Sequence, residues 1–140
     1  MRILLPVDGS DYTRKMLDYV TANAALFDAS HEYTLLNAQS PLPPHARSAV
    51  GAAVAQEYHA DEARKVLAPA EAALKGRGLR ASSTWKAGPL GETIARFAEE
   101  GKFDMVVMGT HGHGAIARLV MGSVTTQVLA HCGVPVLLIR

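Results

Sequence analysis

The residues best suited to chemistry in this 140-residue chain lie between Gly109 and Thr125. Gly109, Gly112 and Gly114 follow the apolar run Met105 to Met108, so side chains are missing just past a buried strand and the backbone can approach a ligand closely. Gly122 and Ser123 then open a helix whose apolar stripe is Val124, Val128 and Leu129. Ser123 is expected as its N-cap, with Thr125 and Thr126 adding hydroxyls around the same helix start. The first amides of a helix have no intrahelical partner, and the helix dipole favours negative charge there. Such an end holds a phosphate without any net positive charge on the protein.

Other chemistries fit the same residues less well. Gly112-His113-Gly114-Ala115-Ile116-Ala117 matches the G-x-G-x-x-A form of the dinucleotide fingerprint, but it follows a late strand and meets no acidic residue before the chain ends. No Gly-x4-Gly-Lys-Ser/Thr run is present, which leaves rapid phosphoryl transfer without its lysine. His111 and His113, with Asp8 or His131, form a conceivable metal set, yet structural zinc normally wants four N or S ligands and Cys132 is a lone cysteine. His131 and Cys132 are neighbours on one helix and point about 100° apart, so they do not form a nucleophile and its base. Ser10, two residues after Asp8, is read as a helix cap.

The elements that must position these residues follow from periodicity. Ile3 to Val7 is a buried strand, Asp8-Gly9-Ser10 a turn, and Met16, Leu17, Val20 and Ala24 the apolar face of the first helix. Tyr33 to Ala38 is the second strand. Prolines 41, 43 and 44 predict a loop, and Val50 to Lys75 predicts one long helix that Pro69 kinks and Gly76 to Gly78 ends. Leu79 to Ala87 alternates like an edge strand, Pro89 to Glu100 is a helix, and Met105 to Met108 is an apolar strand. Ser123 to His131 and Val134 to Ile139 complete a βαβαβαβαβ order. This order predicts a doubly wound α/β domain, a mainly parallel sheet with helices on both faces. Ligands of such sheets sit beyond the carboxyl ends of strands where strand order reverses, and Asp8 and Gly109 both lie at carboxyl ends. No repeat or linker divides residues 1–140.

Composition narrows the function classes. Hydrophobic residues make up 49% and charged residues 19%, too apolar for a disordered adaptor. A net charge of +1 gives no field that would draw the chain to nucleic acid or anionic lipid, so any anion is held by a local site. No apolar run reaches the roughly 18 residues of a membrane span, and the start shows no signal-peptide pattern; the expectation is a soluble, cytoplasmic protein.

Gly109-x2-Gly112-x9-Gly122-Ser123, set between Met105 to Met108 and the closing Val-Pro-Val-Leu-Leu-Ile, resembles the nucleotide-binding signature of the universal stress proteins. Ile3-Leu4-Leu5-Pro6-Val7-Asp8-Gly9-Ser10 is similar to that family's first strand and turn, while Pro41 to Leu79 agrees in layout only. The resemblance implies a five-stranded Rossmann-like sheet of the adenine nucleotide alpha hydrolase-like kind. It implies ATP, with Mg²⁺, as ligand. Asp8, flanked by Pro6 and Val7, would contact the nucleoside, and the backbone at Ala38 would border adenine. Met108, Gly109, His111 and Gly112 would follow ribose and phosphates, and Gly122, Ser123, Val124 and Thr125 would cradle the phosphate tail. The position after Gly112, often basic in the family, is His113 here, which makes affinity expected to vary around the pH range where imidazoles titrate. The family likeness further implies a stress-response sensor or adaptor and a homodimer through Val134 to Ile139, a segment that on sequence alone reads equally as an interior strand. The alternatives are a slow ATPase or nucleotidyl enzyme, for which no catalytic base is recognisable, and an interaction module that uses no nucleotide.

Overall fold

The computed structural model describes residues 1–114 and 120–140. Its elements are β1 (Arg2–Pro6), α1 (Asp11–Ala22), β2 (Glu32–Gln39), α2 (Pro44–Val50), α3 (Ala52–Lys75), β3 (Ala81–Ala87), α4 (Leu90–Glu100), β4 (Met105–Gly109), α5 (Ser123–His131) and β5 (Val136–Ile139). All strand pairs are parallel and the sheet order is β3-β2-β1-β4-β5. Strand order therefore reverses between β1 and β4, and the turns that leave these two strands diverge into a crevice.

The period-2 alternation of β1 divides the core in two. Ile3, Leu5 and Val7 pack with Met16, Leu17 and Val20 of α1 and Ala63, Leu67, Ala70 and Leu74 of α3. Leu4, on the opposite face, packs with Ile94 and Ala98 of α4 and Val128 of α5. A central strand covered on both sides has to be a continuous apolar run, which is how Ile3 to Val7 reads. Ser10 caps α1: its hydroxyl accepts from the Thr13 N–H at 3.3 Å, an interaction of the kind worth about 1 kcal/mol.

Local departures from the sequence reading have physical causes. The single helix expected from Val50 to Lys75 is two, because Gly51 adopts φ 84° and ψ 163° between α2 and α3, a conformation open to glycine and costly for other residues. Pro44 belongs to α2 rather than to the loop, since proline at the first helical positions gives up only an N–H that would be unpaired anyway. α3 runs through Pro69 to Lys75. The last strand begins at Val136, not Val134: Pro135 has no N–H, and its carbonyl accepts from Val106 N at 2.8 Å where the ladder starts. Among the described residues no helix is long and apolar enough to cross a membrane.

Candidate functional site

At the exit of β1 the chain turns through Gly9, at φ 78°, into α1. Asp8 is fixed in this turn. Its Oδ1 accepts from the Ser10 amide at 2.9 Å and from the Thr13 hydroxyl at 2.8 Å, while Thr13 Oγ1 accepts from the Asp8 amide at 3.0 Å. Burial acts to raise the Asp8 pKa, but the hydrogen bonds from Ser10 and Thr13, helped by the nearby His113 ring, outweigh it and hold the carboxyl below its ordinary 3.8. Asp8 is thus a carboxylate with one oxygen engaged by the turn. Its other oxygen, Oδ2, lies against Gly112, where a Cβ would sit 2.6 Å away. His113 Nε2 donates to the Asp8 carbonyl at 2.6 Å, which ties the glycine segment after β4 to the turn after β1.

The exit of β4 is packed as tightly. A Cβ on Gly109 would lie 2.7 Å from Tyr12 Cβ and 3.0 Å from Tyr12 O, so this glycine lets α1 close onto the end of β4. The His111 ring stands 4.7 Å from the Tyr12 ring, and His111 Nδ1 is 2.9 Å from Thr110 Oγ1. Gly122 N donates to Thr110 O at 2.7 Å, and its Cα faces His111, where a Cβ would be 3.2 Å from His111 Cα.

At α5 the cap residue is Gly122, with extended backbone at φ −75° and ψ 168°, and Ser123 is the first helical residue rather than the cap. The first intrahelical bond comes from Thr126 N to Gly122 O, and among the described residues no side chain caps this end. The Ser123, Val124 and Thr125 amides therefore form the open donor end of a nine-residue helix, at the positive pole of its dipole. The Thr125 hydroxyl is not a ligand donor as the sequence suggested. It is buried and donates to Gly109 O at 3.2 Å and Thr110 O at 3.0 Å, pinning α5 to the end of β4. Thr126 Oγ1 donates to Gly122 O. Ser123, which is exposed, keeps its hydroxyl beside the open amides.

The fourth wall comes from β2, which overruns β1. Val7 N donates to Leu36 O, and Gly88 N, on the opposite side, to Gln39 O. Alternation in a parallel ladder therefore turns the Ala38 N–H and C=O toward the β1 side, beyond the last β1 partner pair Pro6 and Leu36. The next acceptor in the ladder would be Val7 O, which takes the Asn37 side-chain amide at 2.9 Å instead. Among the described residues no ladder bond is made by the Ala38 N–H or C=O, which leaves one backbone donor and one acceptor at the crevice edge.

These four walls bound a cleft of about 800 Å³. Pro6, Val7, Asp8, Ala38, Met108, Gly109, His111, Gly112, Gly122, Ser123, Val124 and Thr125 all line it. Sequence reading missed Asn37, Gln39, Tyr58, Glu62 and Val66, which line it from β2 and α3. Their only signal was polar Asn37 and Gln39 closing an otherwise apolar strand. Cys132 is not among the lining residues; burial pushes its thiol pKa up, the direction that makes it inert. Among the described residues no three His, Cys, Asp or Glu side chains are grouped to hold a metal. The second half of Gly112 to Ala117, the dinucleotide-like stretch, lies outside the described residues.

A parallel open sheet with a cleft at its switch point, walled by a carboxylate turn, a glycine turn, an open helix start and the end of β2, places the chain in the class of doubly wound α/β proteins. Residues 1–140 match the model of the universal stress protein family, and the chain belongs to that family. It is 33% identical over 141 residues to a universal stress protein of Thermus aquaticus, covering 99% of this chain and 97% of that one. Universal stress protein Slr1230 of Synechocystis is 30% identical over 139 residues, and there the chain spans 99% of its own length and 42% of the relative's. Among solved structures, the Archaeoglobus fulgidus universal stress protein in complex with dAMP superposes with a TM-score of 0.72 at 21% identity, covering 100% of this chain and 98% of that one. The Arabidopsis thaliana family protein with AMP bound gives 0.70 at 15% identity, with 99% and 90% covered. The family, the five-stranded sheet and the helices on both faces agree with the expectation from sequence.

Proposed function

We propose that this protein binds an adenine nucleotide in the cleft, ATP being the intracellular form it meets, and works in the cytoplasm as a nucleotide-dependent sensor or adaptor in stress response. The observation that carries this reading is the convergence of the Asp8 carboxylate, the Ala38 backbone pair and the open start of α5 on one cleft. A carboxylate accepts ribose hydroxyls, a donor and acceptor pair matches a base edge, and helix-start amides receive phosphate. The dAMP and AMP held by the two related structures support the same ligand class. The phosphates would bring Mg²⁺ with them. Protein purified without added nucleotide and then denatured should release ATP on an anion-exchange column. Recovered ADP or AMP would indicate turnover. Saturating ATP and Mg²⁺ at about 100 times the dissociation constant should add about 2.7 kcal/mol of stability, and an unmoved melting temperature with an empty column would leave the interaction-module reading in its place.

The second part of the proposal is a homodimer through β5. This strand is an apolar edge, Val136 to Ile139, half-buried along its length and paired on one side by β4. Such an edge is an association hazard unless another chain covers it. Light scattering should give twice the 14.9 kDa chain mass, and Leu138→Lys should halve it; a wild-type mass of one chain contradicts the dimer.

A further inference from the structure

At the base end of the cleft, three buried or half-buried polar side chains form one directed hydrogen-bond chain. His59 of α3, 6% exposed, sets Nδ1 2.6 Å from Gln39 Oε1. Gln39 Nε2 donates to Asn37 Oδ1 at 3.0 Å and to the His59 carbonyl at 2.8 Å. Asn37, 4% exposed, donates from Nδ2 to the Val7 carbonyl at 2.9 Å. Each orientation is forced. Val7 O and His59 O can only accept, so Asn37 must present nitrogen to Val7 and Gln39 must present nitrogen to His59 O and to Asn37 Oδ1. Gln39 then offers only oxygen to the ring, and His59 carries its proton on Nδ1. The ring itself is held by stacking on Trp85, with centroids 5.3 Å apart and planes 27° apart.

We propose that Asn37, Gln39 and His59 are positioning residues for base recognition. Their joint effect is to occupy Val7 O from the side, which keeps Ala38 N–H out of the β-ladder and available with its C=O to a purine edge. The inference rests on the nucleotide reading above and adds which residues set its base-binding end. Without the chain of donors, Val7 O would be free to take Ala38 N–H as the next rung of the parallel ladder, and the base would lose its donor. Sequence-specific side chains thus act on the ligand through a backbone amide.

The test compares AMP with ribose 5-phosphate, which keeps sugar and phosphate and lacks the base. In wild type AMP should bind more tightly than ribose 5-phosphate. Gln39→Glu puts acceptors where two donations are needed, so Asn37 turns its nitrogen away from Val7. The preference for AMP over ribose 5-phosphate, a ratio in which the effect of the added charge on the shared phosphate cancels, should fall about tenfold. His59→Asn, which keeps a donor toward Gln39, should retain most of the preference, whereas His59→Leu should lose it. Asn37→Leu serves if Gln39→Glu does not fold. A mere loss of structure would weaken both ligands together, and an unchanged AMP preference in folded Gln39→Glu and Asn37→Leu overturns the proposal. Exchange of the Ala38 amide, read by NMR without ligand, separates the two claims. Fast exchange in wild type that slows in Asn37→Leu supports the positioning device even if AMP fails to bind, in which case the nucleotide reading is what falls. Equal exchange in both proteins overturns the device whatever AMP does.

Discussion

Gly109→Ala is expected to destabilise the protein by about 1–3 kcal/mol, and Gly109→Val by more. The reason is backbone, not ligand. The new Cβ would sit 2.7 Å from Tyr12 Cβ and 3.0 Å from Tyr12 O, and a helix backbone cannot step aside as a flexible side-chain end can. α1 would have to lift from the end of β4. The Tyr12 ring also lies tilted against His111, and α1 begins at the Ser10 and Thr13 bonds that hold Asp8, so the lift reaches two walls of the cleft. The readout is the denaturation midpoint, with a melting temperature lower by about 3–10 °C for a chain of this size. Gly78→Ala is the comparison: there φ is 75° and nothing lies within 4 Å, so only the left-handed backbone cost of about 1 kcal/mol applies. Gly109→Ala with unchanged stability and lost nucleotide affinity would return this glycine to the role of ligand clearance that the sequence suggested.

That contrast shows where sequence reading reaches and where it stops. Ile3 to Val7 and Ser10 are legible because their signals are local: an apolar run that must be buried on both faces, and a hydroxyl three residues before the amide it caps. The cleft's place follows from strand order, since Asp8 and Gly109 stand at carboxyl ends whatever their side chains do. The roles within it were harder to read, because a glycine or a hydroxyl has the same appearance in sequence whether it faces a ligand or the protein. Gly109 and Gly112 are required by Tyr12 and Asp8, about a hundred residues away, and the Thr125 hydroxyl is taken by two carbonyls of the β4 exit. Ser123 missed the cap by one position because Gly122 already supplies the extended backbone a cap needs. The Asn37, Gln39 and His59 chain left no periodic trace, since it joins alternate residues of β2 to one turn of α3 across a gap of 20 positions.

Asp8→Ala should weaken AMP binding about tenfold to a hundredfold, the range for removing a charged acceptor from a hydrogen-bonded site. Asp8→Asn should lose less, because it keeps an oxygen for the Ser10 amide and the Thr13 hydroxyl while giving up the charge. The pH dependence separates ligand effects from fold effects. Because the folded-state pKa of Asp8 is lowered from 3.8, its contribution to stability is fully present well above that value and is lost as pH falls through the lower folded value. The stability difference between wild type and Asp8→Asn should therefore be constant from about pH 8 to pH 5 and close only in stronger acid. Asp8 should likewise add no pH dependence to AMP affinity across that range, so any slope near neutrality belongs to another group. Calorimetric titration at pH 5 and pH 8, beside urea denaturation down to about pH 2.5, reads both. A stability gap that shrinks as pH rises from about 5 to about 8 would mean the carboxyl is protonated in the fold. If Asp8→Ala unfolds readily yet its folded fraction binds AMP as wild type does, the carboxylate holds the turn and not the nucleoside. The ribose contact would then have to come from the glycine segment that His113 ties to the Asp8 carbonyl.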